Sequence, residues 1–163
     1  MTTIKQQIGL AVAAALVISP TMAGCAPVAS DSDIATEIEE AVTSGVPHVT
    51  ASHASLAYSG TARTIWIRVY VDSEATEDLS GVIDATLQTV WETSRVDPAR
   101  VTIDAHLGDK PEKVEVRPRT GLDLRAAAKA IGLAAFAGDD VVALSAIDLT
   151  SRYGAWTQPG SDD

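Results

Sequence analysis

Cysteine is almost missing from this chain: Cys25 is the only one in 163 residues. No disulfide can form within the chain, so packing alone must hold the fold, even in an oxidising compartment. Basic residues are scarce, 12 against 22 acidic ones. That balance argues against nucleic acid as a partner, because binding it needs clustered cations that release counterions. Aromatics are few, with three Trp, three Tyr and one Phe. The longest apolar stretch, Ile8–Ile18, spans eleven residues and includes only Gly9 as a small interruption. A bilayer-crossing helix needs about 20.

Catalytic and metal motifs are missing as well. The sequence contains no His-Glu-x-x-His, Cys-x-x-Cys, Gly-x-Ser-x-Gly, phosphate-binding loop or dinucleotide fingerprint. The three histidines, His48, His53 and His106, show no metal-ligand spacing. Asp139, Asp140 and Asp148, with the terminal Asp162 and Asp163, lack the loop pattern of a calcium site. No cofactor and no metal is expected. A triad assembled from dispersed residues stays open, because triads are recognised by geometry rather than spacing.

What is present begins at the N-terminus. Lys5 is the one charged side chain ahead of the apolar stretch, and Pro20 ends it. Met22-Ala23-Gly24-Cys25 follows directly. This segment resembles a bacterial lipoprotein signal peptide with its lipobox, Met22 standing where leucine is usual. The resemblance implies cleavage before Cys25 and conversion of its thiol to a diacylglycerol thioether. It implies a domain tethered to the cell membrane on the extracytoplasmic side. Two or three acyl chains would be needed for a lasting anchor, since each buried methylene contributes about 0.8 kcal/mol. Ordinary small-residue cleavage, giving a secreted protein, is one alternative. An uncleaved anchor over the uncharged stretch 8–29 is another, and Lys5 would keep the N-terminus inside in either case.

Residues 1–24 are therefore expected as signal peptide, 25–32 as lipidated cysteine and flexible tether, 33–157 as one globular domain, and 158–163 as a disordered tail. Past residue 24 the chain carries 11 basic and 22 acidic residues. This balance favours solubility and opposes adsorption to anionic lipid. Residues 95–129 hold a run of cations that includes Lys110, Lys113, Arg117, Arg119, Arg125 and Lys129. It reads as a shallow basic face or as surface charge balanced by nearby acids.

Periodicity predicts a helix from a Ser32 or Asp33 cap, burying Ile34, Ile38 and Val42. Strands follow over Val49–Tyr58 and Arg63–Asp72, then a helix over Thr76–Ser94 and a strand over Val101–Leu107. Lys113–Arg117 is a possible short edge strand. Thr120 and Asp123 suit the start of a helix ending at Gly138. Val141–Leu149, almost continuously apolar, predicts a last strand buried on both faces. The fold class is α+β: a mixed, mostly antiparallel sheet with about three helices on one face, in the order α-β-β-α-β-(β)-α-β. In element order alone, the first two thirds resembles the BON domains of bacterial envelope proteins, modules linked to membrane or phospholipid association. No residue motif accompanies the likeness, so it implies no sites.

Strand alternation selects a candidate binding face. Trp66, Arg68 and Tyr70 share one side of their strand, and Asp104 and His106 share one side of theirs. If the two strands are neighbours, the five residues form an amphipathic patch, and aromatics flanking an arginine are typical of recognition surfaces. The alternative is a solvated face with an Arg68–Asp104 pair. Arg152-Tyr153-Gly154-Ala155-Trp156 is expected to clamp the C-terminus onto the sheet. The function expected is a non-catalytic binding module contacting an unidentified envelope protein or ligand. A tethered hydrolase and a structural spacer are the alternatives.

Overall fold

The computed structural model describes residues 29–114 and 121–160. The expected signal peptide, Cys25, Arg117, Arg119, Thr120 and residues 161–163 lie outside them. Among the described residues, four helices and four strands form one α+β domain: α1 (Asp31–Gly45), β1 (Val49–Ser59), β2 (Ala62–Val71), α2 (Thr76–Thr93), β3 (Arg100–Leu107), α3 (Arg125–Ala130), β4 (Val141–Ser145) and α4 (Ala146–Tyr153).

The strands lie in the order β1-β2-β3-β4. β1 and β2 form an antiparallel hairpin. β2 and β3 run parallel, joined by the α2 crossover, and β4 returns antiparallel to β3. On one side of the sheet, Ile65, Ile67, Val69, Val71, Val101, Ile103 and Ala105 are all buried. Every helix adds side chains to the same apolar cluster: Ile34, Ile38 and Val42 from α1, Leu79 to Trp91 from α2, Ala127 and Ala128 from α3, and Leu149 from α4.

The caps explain where the boundaries differ from expectation. Ser30, two residues earlier than predicted, closes a reciprocal capping box with Asp33. The domain therefore starts inside the segment expected as tether. The third helix stops at Ala130 rather than at Gly138. Gly132 adopts φ 79°, Gly132 N–H donates to Lys129 O, and Leu133 N–H donates to Ala128 O at 2.7 Å. This is a Schellman turn, which a glycine in the left-handed region permits. A short 3-10 turn, Ala134–Phe136, follows.

The predicted strand Val141–Leu149 is two elements. Ser145 accepts from Asp148 N–H while the Asp148 carboxylate accepts from Ser145 N–H. The pattern Ser-x-x-Asp satisfies two orphan donors at a helix start and turns the chain into α4. β4 is accordingly an edge strand with only Val142 and Leu144 fully inside, not a strand buried on both faces. The possible edge strand at Lys113 is not seen: Lys113 and Val114 are irregular, and the rest of it lies outside the described residues.

Candidate functional site

The parallel register of β2 and β3 sets Arg68 beside Asp104 and Tyr70 beside His106, with Trp66 two residues before Arg68 on the same side. The five residues expected to share a face do so. Arg68 Nε and one terminal nitrogen both donate to Asp104 Oδ2, at 2.9 and 2.6 Å. Trp66 Nε1 points at Asp104 Oδ1 from 3.4 Å. His106 Nε2 lies 3.5 Å from Oδ2. The Tyr70 and His106 rings meet at a centroid distance of 5.9 Å, tilted by 38°.

This face is not an open surface, whether aromatic or solvated. Arg68 and Tyr70 are 4% exposed, Asp104 5% and His106 8%; only Trp66 is half-buried. Alternation decides which side of a strand a residue takes, not what covers that side. The Arg68–Asp104 pair is therefore a buried ion pair rather than an exposed cross-strand contact. The carboxylate that would orient His106 as a base is already engaged by a guanidinium.

The histidines stay apart, each with its own carboxylate. His48 occupies the turn before β1 with φ 64°, its Nδ1 3.0 Å from Asp72 and its Nε2 3.6 Å from Asp78. His53 Nδ1 lies 2.9 Å from Glu39 Oε1. Among the described residues, no group of three or more His, Cys, Asp or Glu could hold a metal ion. The aspartates considered for calcium also separate. Asp139 pairs with Arg125, and Asp148 belongs to the α4 cap.

Several cations of the basic run are spent locally. Arg95 pairs with Glu37, Arg125 with Asp123 and Asp139, and Lys110 with Glu39. The Arg125 side chain and backbone N–H hold the Asp123 carboxyl down at about 2. Lys110 does more than neutralise. Its Nζ also donates to Ser52 O at 2.6 Å, while Glu39 Oε1 accepts from Ala54 N–H at 2.8 Å. A groove of about 570 Å3 lies between α1 and β1, lined by Glu39, Glu40, Thr43, Ser44, Ala51, Ser52 and Lys110. Sequence reading missed this cluster, because its members come from three distant segments.

The C-terminal clamp forms, but onto α2 rather than the sheet. Tyr153 Oη donates to Asp84 Oδ1 at 2.7 Å, and Arg152 Nε donates to the same oxygen at 2.8 Å. Trp91 Nε1 donates to Gly154 O, and Trp156 Nε1 to Ser94 O. Burial first, then the Asp84 hydrogen bond, pushes the Tyr153 phenol well above the usual tyrosine range. Burial acts to raise Asp84, but the bonds from Tyr153 and Arg152 together outweigh it and hold its carboxyl below the ordinary aspartate value. A carboxyl depressed by folding stabilises the protein above its unfolded value and loses that contribution as pH falls through its folded value. Asp84→Asn should thus be less stable than the native protein near neutrality. Its deficit should shrink below about pH 4, near the ordinary aspartate value. Urea midpoints compared from pH 7 downward read this out, and a pH-independent deficit would count against it.

No protein family model, no curated protein and no solved structure matches this chain.

Proposed function

We propose that this chain is a lipid-anchored extracytoplasmic protein of a bacterial envelope, whose domain binds another envelope component without catalysing a reaction. The observation that carries the non-catalytic half is the buried Arg68–Asp104 pair. Asp104 Oδ2 takes two short bonds from Arg68, which supports a strut between β2 and β3 over a partner for a catalytic histidine. The tether rests on Met22-Ala23-Gly24-Cys25 directly after an eleven-residue apolar run. Among the described residues, no helix is long and apolar enough to cross a membrane. The acidic balance is consistent with a domain held close to anionic lipid without lying on it.

A tethered hydrolase is the second reading, favoured by the approach of His106 to Asp104. At 3.5 Å that approach is at the limit of a hydrogen bond.

Metabolic labelling with a fatty-acid analogue tests the tether. The native protein should incorporate label and Cys25→Ser should not; equal labelling of both, or of neither, removes the lipoprotein reading. Cross-linking in intact membranes with mass spectrometry tests the binding role. Recovery of the same envelope protein across replicates supports it, and recovery of none favours a spacer.

A further inference from the structure

The outer edge of β1 is guarded over half its length and open over the rest. Ala54 N–H and Ser52 C=O are taken by Glu39 and Lys110. Both groups therefore point away from β2. Outward-facing main-chain groups recur every second residue in an antiparallel edge strand, so Leu56 and Tyr58 also direct their N–H and C=O outward. Ser59 pairs with Ala62 across the tight turn at Gly60, consistent with that phase. Among the described residues nothing takes the outward groups of Leu56 and Tyr58. The stretch is accessible: Ser55, Ala57, Tyr58 and Ser59 are exposed. Natural edges are usually blunted by charge, proline or a bulge. Residues 54–59 contain neither charge nor proline, and the only register shift lies between Val49 and Ala51.

We infer that the Ala54–Tyr58 edge accepts an extended, cationic segment of a partner protein as a fifth strand. This rests on the proposed binding role and gives it a place and a chemistry. Strand addition draws affinity from main-chain hydrogen bonds and specificity from the flanking side chains. Here the flank is acidic. α1 carries Asp31, Asp33, Glu37, Glu39 and Glu40 and no base; Arg95 and Lys110 pair with Glu37 and Glu39, which leaves Asp31, Asp33 and Glu40 outside any ion pair among the described residues. Asp31 reaches Tyr58 Oη, and Glu39 reaches Ala54 N–H. Arg63, cross-strand from Tyr58, is the cation at the hairpin end. A second copy of this chain fits less well, because two-fold pairing of β1 with β1 sets two acidic α1 helices side by side.

The test uses the full-length protein, with an alternating Lys–Val decapeptide and its Glu–Val counterpart as probes. Amide hydrogen exchange at Leu56 and Tyr58 should slow by about tenfold or more with the Lys–Val peptide and stay unchanged with Glu–Val. Tyr58→Pro removes a donor facing away from β2, so the β1–β2 ladder and the melting temperature should survive. Lys–Val affinity should then fall by about tenfold or more, one lost hydrogen bond's worth. Asp31→Asn, at the Tyr58 end of the edge, should weaken binding while leaving the protected amides the same. Equal protection by both peptides, protection by neither, or unchanged affinity in Tyr58→Pro overturns the inference. Protection that grows with protein concentration alone also overturns it, in favour of a second copy. None of these outcomes bears on labelling at Cys25, so tether and edge fail separately.

Discussion

Arg68→Met should destabilise the domain by about 3–5 kcal/mol, because it strands the Asp104 carboxylate inside the protein. Asp104 is 5% exposed. Its remaining contacts would be Trp66 Nε1 at 3.4 Å and His106 Nε2 at 3.5 Å, both too long to replace two bonds of 2.9 and 2.6 Å. Taking a charge out of water is costly, and only the opposite charge offsets that cost. The double variant Arg68→Met/Asp104→Leu should regain most of the loss, because a buried ion pair and a packed apolar pair are often close in stability. Urea unfolding of the two single variants and the double variant completes the cycle. A loss below about 1 kcal/mol in Arg68→Met, the scale of an exposed pair, would mean that solvent reaches the cluster.

Trp91→Ala should cost about 3–5 kcal/mol, the usual range for deleting a large buried side chain. Trp91 sits 3% exposed on α2, and its Nε1 donates to Gly154 O just after α4 ends. The indole is thus both core volume and the tie for the C-terminal segment. Trp91→Phe separates the two roles. It keeps most of the volume, drops the bond to Gly154, and should cost about 1–3 kcal/mol. In both variants the Gly154–Trp156 stretch should lose amide protection before the sheet does. Uniform loss across the domain would mean that the clamp and the core open together.

The polarity of each residue and its strand phase were readable from the linear chain. The apolar row Ile65-Ile67-Val69-Val71 and the helix stripe Leu79 to Trp91 follow from periods of two and 3.6. So do the shared side of Trp66, Arg68 and Tyr70 on one strand and that of Asp104 and His106 on another. The α4 start was readable too, since Ser145 and Asp148 stand at capping-box spacing, but the apolar content of Val141–Leu149 outweighed that signal. The Schellman glycine, Gly132, and the Ser145 cap are local devices of a few residues, but a linear reading takes Gly138 and the apolar run in their place.

Tertiary structure alone decided the rest. Only the α2 crossover sets β3 beside β2, in the register that turns Arg68 and Asp104 into a pair. Burial turns that pair from a weak surface contact into a costly one to break. The Glu39–His53–Lys110 cluster and the Asp84–Arg152–Tyr153 clamp join residues separated by 14 to 71 and by 68 to 69 positions. Contacts at such separations depend on how the layers dock, and no periodicity in the chain encodes that.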